Sequence, residues 1–112
     1  MTPQEKSLQS ALNFLEERDW AQFSDLKNRA INLSVEVSEV LELFLWTKDN
    51  TLQKGKEEDL ADELADVYYA LLLLAHDAKI DLNAALKKKL EKSKIKYPIE
   101  KAKGNSKKYT EL

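Results

Sequence analysis

The chain has 112 residues, of which 34% are charged and 43% hydrophobic, with 2 Gly, 2 Pro, no Cys and a formal net charge of −2. That length predicts one domain. The lack of Cys excludes disulfides, thiolate zinc sites and cysteine nucleophiles, and the negative net charge, with a Lys run nearly free of aromatics, argues against a nucleic-acid partner.

Low Gly and Pro beside abundant Leu, Ala, Lys and Glu predict long helices joined by few turns. The first helix starts at a capping signature: Thr2 as N-cap, Pro3 at the first helical position and Glu5 three residues after Thr2. Leu8, Ala11, Leu12 and Leu15 follow at helical spacing, and the helix is expected to end near Arg18-Asp19-Trp20. A second helix is expected from Ser24 or Asp25 to Leu45, with Leu26, Ala30, Leu33, Val37, Val40, Leu41 and Phe44 as its inward stripe. Polar residues and Gly55 make 47–56 a loop.

The third helix, Glu57 to Ala78, is polar at first and then apolar on almost every side through Val67–Ala75. A helix apolar all round needs burial all round, and so short a chain offers little to cover it, which predicts a homo-oligomer. Asp81 caps a fourth helix, Leu82 to Lys94, with Leu82, Ala85, Leu86 and Leu90 inward, and Pro98 marks its end. The expected architecture is all-α, a four-helix-bundle-like domain over 1–98 completed by homo-oligomerisation, with a Lys-rich, loosely ordered tail over 99–112. No run approaches the roughly 18 apolar residues of a membrane span, and the first residues lack a signal-like apolar segment. A soluble cytoplasmic protein without a membrane partner is the resulting expectation.

Two segments carry chemistry. Glu36 and Glu39 (E-V-S-E) lie three apart on the second helix, and Glu63 and Asp66 (E-L-A-D) repeat that spacing on the third. Residues three apart project from adjacent turns of one face. Like charges so placed repel, and among Val and Leu they also lose hydration, so they require compensation. If the two helices pack side by side the four carboxylates converge, and an oxygen-only set favours Mg²⁺, with Mn²⁺ as a substitute. Mg²⁺ held by a few carboxylates is commonly shared with substrate phosphates, which makes a phosphate ester the natural substrate class. The plainer reading of each pair is a solvated helix face. A di-iron bundle would need Glu-x-x-His, whereas the one His, His76, lies ten residues past Asp66.

The two acidic pairs resemble the hallmark of the MazG-like all-α NTP pyrophosphohydrolases. The flanks are similar too: Glu17-Arg18-Asp19-Trp20 with Gln22-Phe23, Lys27-Asn28, Leu43-Phe44-Leu45-Trp46 and Lys96-Tyr97-Pro98. The similarity runs from about Leu8 to Pro98 and looks closest to the short dCTP pyrophosphatase-like branch. It implies hydrolysis of a (deoxy)nucleoside triphosphate between its α and β phosphates, yielding a monophosphate and pyrophosphate, as nucleotide-pool house-cleaning. It implies Glu36, Glu39, Glu63 and Asp66 as metal ligands and catalytic groups, and a dimer or tetramer. It also implies Trp20 and Trp46 stacking on the base, with Phe23 and Tyr69 as weaker candidates, and Asn28, Lys89 and Lys96 toward the substrate.

Each of these residues has a plainer role as well. Both Trp can pack at bundle edges, and Lys89 stands among Lys87, Lys88, Lys92 and Lys94 on one helix. The chain departs from the dCTP-specific pattern at Ser24 and Ala11, where His is expected, so base preference stays open between dCTP, a modified dNTP, dUTP and a phosphoribosyl nucleotide. The non-enzymatic alternative is a helical interaction module with a merely solvated acidic face.

Overall fold

The structure, a computed structural model, describes residues 1–49 and 51–112. All its regular elements among the described residues are helical: α1 Pro3–Glu17, a 3₁₀ turn Ala21–Phe23, α2 Leu26–Glu42, α3 Glu57–Asp77, α4 Leu82–Lys96, α5 Ile99–Ala102 and a 3₁₀ turn Tyr109–Glu111. The chain forms two compact units, Met1–Lys79 and Ile80–Leu112. None of the described helices is long and apolar enough to cross a membrane.

The helix starts follow the local chemistry of the sequence. The Glu5 N–H donates to Thr2 Oγ1 at 3.1 Å, and the Thr2 N–H donates to Glu5 Oε2 at 2.9 Å, a reciprocal capping box. Asp25 accepts from the Asn28 N–H at 2.8 Å, and Asp81 from the Ala84 N–H at 3.1 Å. The second helix ends three residues earlier than its apolar pattern suggested. Leu43–Trp46 continue as tight turns, and Trp46 takes φ +62°, a left-handed conformation uncommon for a bulky residue.

In the first unit α2 and α3 pack against each other, and α1 lies on α3. α2 and α3 run antiparallel, since Arg29 near the start of α2 meets Asp77 at the end of α3. The Arg29 Nε donates to Asp77 Oδ2 at 2.9 Å, and the Ser24 hydroxyl donates to the same oxygen. The buried core is Ala11 and Leu15 of α1 with Ala70, Leu72, Leu73 and Ala75 of α3. It occupies the second half of α3, where Leu73 is 1% exposed and Leu12 and Tyr69 pack at its edge.

Three expectations about buried faces are corrected. α2 buries no residue fully; its least exposed line is Arg29, Leu33, Glu36, Val40 and Leu43, while Leu26, Ala30, Val37 and Leu41 are exposed. The helix is thus rotated from the stripe that hydrophobicity alone selects, because the face meeting α3 carries the carboxylates. The apolar half of α3, expected to lack cover in one chain, is largely buried there; the uncovered apolar face is that of α2. On α4, Leu86 and Leu90 are 58% and 51% exposed rather than inward. In the second unit, the segment after Pro98 contributes a one-turn helix, and Tyr109 packs edge-on against Tyr97 with centroids 6.1 Å apart.

Candidate functional site

The α2–α3 hairpin brings the two acidic pairs together. One carboxylate oxygen from each of Glu36, Glu39, Glu63 and Asp66 lies within 4.8 Å of all the others. Asp66 is exposed, and the other three are half-buried. Glu36 Oε2 and Glu63 Oε2 are buried with no hydrogen-bond partner. A buried acceptor without a donor costs folding free energy, and here each of the two packed helices carries one. Burial, then the carboxylate of Glu39, then the charge of Asp66 push the Glu36 carboxyl above its ordinary value. The same causes, with Glu36 added, raise that of Glu63.

A cation satisfies every one of these demands at once: it supplies the missing partner, offsets the repulsion and accepts an oxygen-only donor set. The residues therefore fit a hard divalent ion. Asp59 and Asp62, one turn earlier on α3, are exposed and lie outside the cluster.

Asp66 also borders a cavity of about 510 Å³ between α1 and α3, lined by Ser7, Ser10, Phe14, Tyr68, Tyr69 and Leu72 among others. That volume falls within the range of small-molecule sites, roughly 300–1,000 Å³. Phe14 organises its aromatic wall. Tyr69 meets it edge-on with centroids 6.2 Å apart, Trp20 does so at 5.7 Å, and the Arg18 guanidinium lies 4.0 Å from its centroid. Burial pushes the Tyr69 phenol up, against the opposing charges of Arg29 and Arg18. Phe14 lies outside the apolar stripe Leu8, Ala11, Leu12 and Leu15 that the sequence pattern selects on α1, so the pattern did not single it out. Ala11 itself is buried and lines the cavity, and Ser24 is engaged with Asp77, so both departures from the dCTP-specific pattern have a structural role.

The remaining candidates separate by location. Tyr69 joins Phe14 in lining the cavity that Asp66 borders, and Trp20 packs edge-on against the Phe14 ring, whereas Phe23 is 69% and Trp46 97% exposed. The Asn28 amide donates to Asp25 Oδ2 at 2.7 Å and so completes the α2 cap. Lys89 and Lys96 are exposed on α4 in the second unit, where Lys96 Nζ lies 4.7 Å from the Tyr109 ring centroid.

Known proteins resemble this chain in sequence and fold. Rat and human dCTP pyrophosphatase 1 are each 36% identical to this chain over 104 residues, covering 88% of it and 61% of their own length. The chain thus spans about three-fifths of these curated relatives. The crystal structure of a pyrophosphatase from Archaeoglobus fulgidus superposes with a TM-score of 0.79 at 35% identity, covering 84% of this chain and 91% of that one. The MazG-like family model matches residues 31–112, a span that holds all four clustered carboxylates. With that match over most of its length, the chain belongs to the MazG-like family.

Proposed function

We propose that the chain is a Mg²⁺-dependent nucleoside triphosphate pyrophosphohydrolase that cleaves a (deoxy)nucleotide between its α and β phosphates. The observation that carries this reading is the quartet itself, four carboxylates with two buried, unpartnered oxygens at the edge of an aromatic cavity. The relatives named as pyrophosphatases support it.

Glu36, Glu39, Glu63 and Asp66 would hold the ion, which when bound neutralises phosphate charge and lowers the pKa of a coordinated water. The cavity beside Asp66 takes the base, with Phe14, Tyr68 and Tyr69 supplying apolar and aromatic contact and Trp20 backing Phe14; stacking of this kind is worth about 1–3 kcal/mol per base. Hydrolysis joins the oxygen of a water molecule to the α or β phosphorus as the bridging P–O bond breaks. The water proton passes to a carboxylate of the quartet, and the products are a monophosphate and pyrophosphate. A dCTP-like or modified deoxynucleotide fits the named relatives, and nucleotide-pool house-cleaning is the corresponding role. The exposed apolar face of α2 supports a homo-oligomer.

A panel of NTPs and dNTPs incubated with Mg²⁺ tests the reaction. Equal amounts of monophosphate and pyrophosphate are expected, with loss of turnover in EDTA and in Glu36→Gln. Release of orthophosphate overturns the α–β cleavage in favour of a terminal phosphohydrolase, and no turnover of any nucleotide overturns the reading in favour of a helical interaction module.

A further inference from the structure

From the hydrogen bonds at the end of α2, we infer that Gln53 is a positioning residue for the acidic quartet, fixing the register of α2 on α3. Its side-chain amide donates to the Glu42 carbonyl at 3.2 Å and to the Leu45 carbonyl at 2.9 Å. Its own N–H donates to the Leu43 carbonyl at 2.9 Å, and its carbonyl accepts from the Lys56 N–H at 3.3 Å. Lys56 in turn accepts from the Leu60 N–H in the first turn of α3 at 2.9 Å. Gln53 therefore satisfies carbonyls that a helix C-terminus leaves without partners, and its main chain opens the turn that starts α3. Among the described residues, every hydrogen bond from the second half of this loop back to the end of α2 belongs to Gln53.

The quartet lies directly beside this tie. Glu39 is three residues before Glu42, and Glu63 is six residues into α3, roughly 9 Å of helix rise from its start. A slip at the tie moves one acidic pair along the other. The tie also reaches the carbonyl of the Leu45–Trp46 peptide, next to the left-handed backbone at Trp46. Gln53 touches neither ion nor substrate; it acts through the helices that do.

The inference rests on the quartet being a metal site, and the test separates the two. Mn²⁺ binding is measured by electron paramagnetic resonance without nucleotide, on wild type, Gln53→Ala and the isosteric Gln53→Met, with circular dichroism confirming helix content. Supporting metal positioning are a Kd for Mn²⁺ about tenfold weaker in both variants, a matching rise in the Mg²⁺ concentration for half-maximal activity, and a kcat restored by excess Mg²⁺. Unchanged Mn²⁺ affinity with only a lower melting temperature overturns the inference and leaves Gln53 as a stability residue. No Mn²⁺ binding by wild type overturns the metal site itself. Should Gln53→Ala not fold, Gln53→Asn, with its donor one methylene short, must show the same affinity loss or the inference fails.

Discussion

Glu36 and Glu63 are held by the fold in an environment that opposes their charge, and two predictions follow at this scale. Their carboxyls are raised above the ordinary value by burial and by each other's neighbours. A raised group binds its proton more tightly in the folded state. Its stabilising contribution is therefore full below the unfolded pKa of about 4.5 and is lost as pH rises through the raised value. Denaturant midpoints in EDTA should fall as pH rises above the ordinary carboxylate value of 4.5, and Mg²⁺ should flatten that slope. Midpoints that rise over this range would contradict the arrangement. Asp77 behaves oppositely. Burial works against its charge, but hydrogen bonds from Ser24 and Arg29 and the charge of Arg29 hold it below its ordinary value. Its contribution is present above pH 3.8 and is lost as pH falls through that lowered value, so it adds no slope where the two Glu carboxyls do. The second prediction concerns removal of one charge. Glu63→Gln should lower turnover at least about 100-fold by deleting a ligand, yet raise the melting temperature of the metal-free protein by relieving repulsion. A lower melting temperature in EDTA would count against crowded carboxylates.

The helices are tied at both ends, at the quartet's end by Gln53 and at the far end by Arg29–Asp77. The second tie is mostly sheltered, with side-chain exposures of 12% and 21%. Arg29→Ala leaves Asp77 without its charged donor and should cost about 1–3 kcal/mol, measured by urea denaturation with the m-value unchanged. A loss under about 0.5 kcal/mol, typical of an exposed pair, would show that this tie carries little. Helix starts were legible in the sequence because their signals are local, as at Thr2, Asp25 and Asp81. The inward face of α2 was not. Two lines compete on that helix, and hydrophobicity selects Leu26–Ala30–Val37–Leu41. The line meeting α3 instead includes Arg29 and Glu36, whose burial serves the site. Leu33 and Val40 belong to both lines, so the pattern was rotated rather than reversed. The acidic pairs were legible from spacing alone, while Phe14 and Gln53 were not, since each owes its role to residues distant in sequence.

At the scale of the molecule, apolar surface is unevenly distributed. Val37, Leu41, Leu45 and Trp46 are 50%, 65%, 47% and 97% exposed. Exposed apolar surface of this kind is what the proposed homo-oligomer would cover. Val37→Glu combined with Leu41→Glu should convert the protein to a monomer in light scattering coupled to size exclusion, with helix content intact. Wild type that is already monomeric at micromolar concentration would remove the homo-oligomer from the picture.

The core fills the second half of α3, and the carboxylates stand on the first. A single helix thus has a firm end and a soft end. Amide hydrogens around Ala70–Ala75 should exchange only on global opening, whereas those near Glu63 should exchange through local fraying of the hairpin. Ion and nucleotide, arriving at the soft end, would slow exchange there most. Occupancy would then be recorded as stiffening of the helix that carries the ligands, with little displacement of the protein that holds it.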